Sequence, residues 1–193
     1  MTRLPIPRPA LLARRPLLQL MLAGALPMPW ARSAEPERGE GNPAYSSRDP
    51  RLSDSDRVFM RSVSGLLIRM RQAGEMGREQ ARQAKLRHFS QKLSRQSDAL
   101  FTGLRRLSEQ TRTPVPLDMS DQAAQQLRAL EPRRKEAFDA PFMALLADWM
   151  AEELNVLGDA TERSENERVL QWARDALRTR LALSRELERL RKA

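Results

Sequence analysis

The sequence predicts an all-α protein, a four-helix bundle with a longer crossover between its second and third long helices. Three observations predict it. From Ser53 onward the chain is built from Ala, Leu, Arg, Glu and Gln, and glycine before the third long helix is confined to Gly65, Gly74, Gly77 and Gly103, a composition that holds helices at little conformational cost. Four long stretches place apolar residues at mixed spacings of three and four, which lines one face of a helix with 3.6 residues per turn. No alternating apolar and polar run of useful length competes for a strand. Four apolar stripes are hidden most simply by packing them on one another. There is no cysteine, so disulfides and thiolate zinc sites are excluded and packing must supply the stability.

The first long helix is expected from about Asp54 to Gln83, with Ser53 or Ser55 as N-cap and a stripe at Phe59, Val63, Leu66, Met70, Ala73, Gly77 and Ala81. The second, about Lys85 to Gln110, repeats the rhythm at Leu86, Phe89, Leu93, Leu100, Leu104 and Leu107, while Gln96 and Ser97 leave a polar gap in its middle. Thr111 to Asp118 reads as a loop because Pro114 and Pro116 restrict their own and the preceding backbone. A short helix near Ser120 to Leu130 follows, and the whole connection is long enough to cross between two antiparallel pairs. The third long helix is expected to start at Asp139 as a cap, with Pro141 in its first turn, to bury Phe142, Leu145, Leu146, Trp149, Leu154 and Leu157, and to end at Gly158. Ser164-x-x-Glu167 reads as the capping box of the fourth, which carries Leu170, Ala173, Leu177, Leu181, Leu187 and Leu190. No repeat between the two helix pairs is detectable.

Residues 1–33 read as a signal peptide. They hold Arg3, Arg8, Arg14, Arg15 and Arg32 and no acid, an uncharged run from Pro16 to Ala31, and a small-x-small site at Ala31-Arg32-Ser33. The run is shorter than the roughly 20 apolar residues of a bilayer-spanning helix, and Pro27 and Pro29 interrupt it. Arg14-Arg15-Pro16-Leu17-Leu18-Gln19 resembles a twin-arginine signal, and both that route and Sec fit the segment. The expected compartment is therefore periplasmic or secreted. Loss of five arginines lowers the formal net charge from +9 to +4, which removes most of the polyanion-binding signal that the full composition carries. Residues 34–52, rich in Pro, Gly, Ser and charge, read as a disordered linker, and residues 53–193 as the bundle domain.

A family resemblance covers about Asp56 to Leu190. It is carried by Asp56-Arg57-Val58-Phe59, Gly74, Lys85-Leu86-Arg87-His88-Phe89-Ser90-Gln91-Lys92-Leu93, Val115-Pro116-Leu117, Ala137-Phe138-Asp139-Ala140-Pro141-Phe142-Met143 and Ala176-Leu177-Arg178-Thr179-Arg180-Leu181. In order and spacing these resemble the exported bacterial family called domain of unknown function 4142, which implies a ferritin-like four-helix bundle. The resemblance also implies acidic and histidine residues facing the bundle interior, and here those points are substituted. They fall near Met70 or Gln72, at Gln96-Ser97, at Trp149-Met150 with Asp148 one position early, and at Arg180. The chain is identified as a divergent member lacking the usual interior residues.

The residues themselves point the same way, because a ferritin-type di-iron site needs carboxylates from two helices and two Glu-x-x-His motifs, and this chain has one histidine. His88 follows Lys85 at that spacing and is given no role. Glu152 and Glu153, with Glu75 and Glu79 as partners for a hard cation, read instead as a solvated face paired with arginines. Met60, Met70, Met76, Met143 and Met150 read as core filling ahead of thioether ligands for cuprous copper. Arg105-Arg106, Arg133-Arg134-Lys135 and Arg178 with Arg180 are candidate polyanion contacts, read first as solubilising charge. No Ser-His-Asp or Cys-His arrangement, phosphate loop or dinucleotide fingerprint is evident.

The sequence thus assigns no catalytic, cofactor-binding or metal-binding residue and implies no cofactor. The expected role is that of an exported non-catalytic bundle, an interaction or envelope-stress protein with a macromolecular partner, no specific nucleic acid and no stable membrane anchor after signal removal. A ferritin-like metal-binding or redox protein is the alternative, and anionic polymer or lipid headgroups a third reading. The bundle centre around Met70, Gln96, Ser97, Trp149 and Met150 is expected to be a closed layer in which Gln96 and Ser97 satisfy each other, a backbone group or a trapped water.

Overall fold

The computed structural model describes residues 52–133 and 135–192. The signal-peptide segment and all of the linker except Leu52 lie outside them. Five helices and no strand occur among the described residues: α1 (Asp54–Gln80), α2 (Ala84–Thr111), α3 (Asp121–Arg128), α4 (Lys135–Arg163) and α5 (Glu167–Arg191).

Each helix start has a local chemical reason. Ser53 caps α1 in a reciprocal box, its Oγ accepting from the Asp56 N–H at 3.0 Å while the Asp56 carboxylate accepts from the Ser53 N–H at 3.3 Å. Leu52, just outside, is buried in the core. Ser120 caps α3 through the Ala123 N–H. For α5 the expected Ser164 box does not form. Asn166 is the cap, accepting from the Arg168 and Val169 N–H groups at 3.1 and 3.3 Å, because its carboxamide oxygen reaches both orphan donors.

The start of α4 also differs from expectation. It begins at Lys135, so Pro141 lies inside the helix, and Asp139 caps a different one. Its two carboxylate oxygens accept from the Arg82 and Gln83 N–H groups at 2.8 and 3.0 Å, where α2 has no side-chain cap of its own. At its other end α4 runs through Gly158 to Arg163, since a non-terminal glycine costs a helix only about 1 kcal/mol and packing overrides it.

Helix α1 packs most extensively on α2, and α4 on α5; the pairs meet where α1 touches α4 and α2 touches α5. Pairings of Ser97 with Arg180 and Lys92 with Glu186 make α2 and α5 antiparallel. Residues 112–133, with α3 among them, run from the far end of α2 back toward the α1–α2 turn, where α4 begins. The result is an up, down, down, up bundle with one long crossover, the connection seen in ferritin-like folds.

Among the described residues the interior holds two apolar clusters. One includes Met70, Phe89, Leu93, Phe142, Met150 and Leu183; the other includes Val63, Leu67, Leu104, Leu157, Ala173 and Ala176. Along every long helix the first cluster stops and the second starts at the same level, so the core is divided.

Candidate functional site

Between the clusters lies a polar layer. In α5 the stripe runs Val169, Ala173, Ala176, Arg180, Leu183, Leu187, a three-four rhythm that places Arg180 in phase with the core. The expected stripe instead put Leu181 inside, and that side chain is 38 % exposed. Glu153 of α4 and Ser97 of α2 occupy the matching positions, and all three residues have zero exposure. The Arg180 Nε donates to the Glu153 Oε1 at 2.9 Å and its Nη2 donates to the Ser97 Oγ at 2.8 Å. Arg180 Nη1, Glu153 Oε2 and the Gln96 Oε1 are buried with no hydrogen-bond partner among the described residues.

This arrangement corrects three expectations. Ser97 is satisfied by Arg180, not by Gln96. Arg180 is sealed inside the protein and is no polyanion contact, whereas Arg178 is exposed and paired with Asp175. Of the adjacent glutamates only Glu152 is on a solvated face; Glu153 is paired with an arginine, but in the core. The phase of Glu153 and Arg180 within their stripes was the signal available for finding the pair.

The other expected centre residues divide between this layer and its flanks. Met70, Trp149 and Met150 belong to the first apolar cluster. Trp149 is held from two sides: the Arg69 guanidinium sits 4.9 Å from its ring centroid, and its indole N–H donates to the Gln126 Oε1 on α3 at 3.0 Å. Arg69 Nη2 also donates to the Trp149 carbonyl and to Glu152, at 3.2 and 2.7 Å. Glu75 and Glu79 lie apart from Glu152 and Glu153, along a groove between α1 and α3. His88 is exposed.

On the outside, a cleft of about 740 Å³ separates α2 from α5. Arg106, Arg168 and Arg174 line it with Leu107, Leu170 and Trp172. Trp172 lies against Gly103, where an added Cβ would come within 3.1 Å of the indole Nε1.

A family model described as Domain of unknown function (DUF4142) matches residues 42–190. The chain belongs to this family. No curated protein and no solved structure matches it. A ferritin-type di-iron centre would draw its carboxylates and histidines from the bundle interior. In this DUF4142 chain the residues do not fit one: the layer's carboxylate is engaged by a guanidinium, and no three His, Asp or Glu side chains among the described residues are placed to hold an ion.

Proposed function

We propose that the protein is an exported, non-catalytic helical bundle that acts by binding another macromolecule in the cell envelope. The sealed layer carries this reading. Catalysis or redox chemistry at the bundle centre needs charged groups that a substrate or ion can reach, and Arg180, Glu153 and Ser97 have no exposure and are committed to one another. Among the described residues Asp56, Arg69 and Asp139 are also buried and hydrogen-bonded, and the exposed charge that is left lines the clefts between helices, where it serves recognition. Export is supported by the arginine-rich start, the short uncharged run and the small residues that follow it.

Protein recovered from the cell envelope tests both parts. Its intact mass is expected to begin near Ala34, and a mass retaining Met1 to Ser33 would replace the exported soluble protein with an anchored one. Iron, manganese, zinc, copper and a strong chelator are each expected to leave its thermal midpoint unchanged, since metal binding to the native state appears as stability. A reproducible rise of several degrees with one metal, reversed by the chelator, would return the protein to the metal-binding alternative.

A further inference from the structure

We infer that the cleft between α2 and α5 docks an acidic peptide segment of a partner protein. The inference deepens the interaction reading above and rests on it.

The cleft presents hydrogen-bond donors around an apolar floor. Arg106, Arg168 and Arg174 line one space, and none of their guanidinium groups is engaged in an ion pair within the described protein. Trp172, half-buried and held edge-on against Phe59 with ring centroids 6.0 Å apart, adds an indole N–H, a group that only donates. Gly103 permits this placement by leaving the α2 surface bare beneath the indole. Leu107 and Leu170 form the floor. Three guanidiniums and one N–H match acceptor-only anions, and guanidinium pairs with carboxylates through two parallel bonds.

The charge pattern selects among anionic partners. Glu167 and Asp175 also line the cleft, which leaves it one net positive charge. A phosphate backbone carries a charge at every unit and so sets charges beside Glu167 and Asp175, whereas carboxylates spaced by apolar side chains meet the arginines with fewer charges beside those acids. A bilayer surface fits poorly for a different reason. Among the described residues the exposed large apolar side chains, Val58, Leu117 and Leu181, stand on α1, the crossover and α5, so no single described face offers an inserting patch.

The test titrates a fluorescein-labelled peptide of glutamate, leucine and alanine into the purified protein, with the Trp172 indole N–H resonance followed by NMR and assigned through Trp172→Phe. Saturable binding that moves this resonance is expected, and a peptide with glutamine in place of glutamate should not bind. Arg106→Gln with Arg174→Gln should weaken binding at least about tenfold through lost charge-assisted contacts. Arg185→Gln with Arg189→Gln, which removes the same charge near the C-terminal end of α5, should change it less than about twofold because salt screens the distance. Both double variants are exposed-surface changes, and thermal midpoints confirm that they fold.

Equal weakening in the two double variants, or binding that leaves the Trp172 resonance in place, removes the cleft while sparing the interaction reading. Binding of phosphatidylglycerol vesicles or a single-stranded oligonucleotide without the peptide also overturns the proposal. No peptide binding together with metal-dependent stabilisation removes both readings.

Discussion

Arg180 is the residue on which the interior turns, because a charge with zero exposure is tolerated only through its partners. Glu153 supplies the opposite charge and Ser97 a neutral acceptor. Replacing Glu153 with leucine leaves the guanidinium buried and uncompensated, which is expected to cost about 3–5 kcal/mol. Urea unfolding of Glu153→Leu measures it, and a loss below about 1 kcal/mol, the scale of an exposed pair, would mean that water reaches Arg180. Asp139 makes a related point about what a sequence discloses. Its capping chemistry was legible, but the groups it caps are 57 and 56 residues away at the start of α2. Residue type announces that a carboxylate will seek N–H donors, and only the fold decides whose.

Among the helices, α1 and α2 pack most extensively, and glycine lets their backbones meet. A Cβ on Gly74 would lie 2.6 Å from the Ser94 backbone nitrogen and 2.7 Å from the Ser90 carbonyl oxygen, so the two backbones touch with nothing flexible between them. Gly74→Ala is therefore expected to force the helices apart and to cost about 1–3 kcal/mol. Gly158 is the opposite case inside α4, where an added Cβ would meet nothing within 4 Å, and Gly158→Ala should stabilise the protein by about 0.5–1 kcal/mol. Denaturant midpoints of the two variants should move in opposite directions; movement in the same direction would show that propensity and not clearance governs both positions. The ends of α4 lie beyond the expected ones for the same reason that Gly158 is tolerated. Local signals at Asp139, Pro141 and Gly158 favour a shorter helix, but Phe138 stacks on Phe142 with centroids 4.8 Å apart and Ala160 is buried beyond the glycine. Burial at both ends outweighs the local preference.

Across the whole molecule, the four long helices, their order and the crossover were legible because each follows from periodicity and connection length. The filling of the divided core was not. A polar gap at Gln96-Ser97 announces that something polar faces it, yet the group that does so comes from the last helix, and stripe periodicity alone left Arg180 and Leu181 one residue apart in competition for the interior. The apolar clusters on either side could merge if the layer were apolar, and desolvating an ion pair commonly costs as much as the pair returns. Replacing the three as a unit, Ser97→Ala with Glu153→Leu and Arg180→Met, keeps side-chain volume close to the original and removes both charges of the layer. The triple variant is expected to be at least as stable as the parent by urea unfolding, in contrast to the single Glu153→Leu change. A triple variant as destabilised as the single one would mean that the layer contributes net binding energy between the helices. If stability is retained, NMR of the triple variant separates two remaining roles. A well-dispersed single spectrum makes the layer energetically neutral filling, whereas multiple or broadened signals make it the device that fixes the register of α4 and α5 against α2, because Arg180 can satisfy Glu153 and Ser97 together in only one alignment.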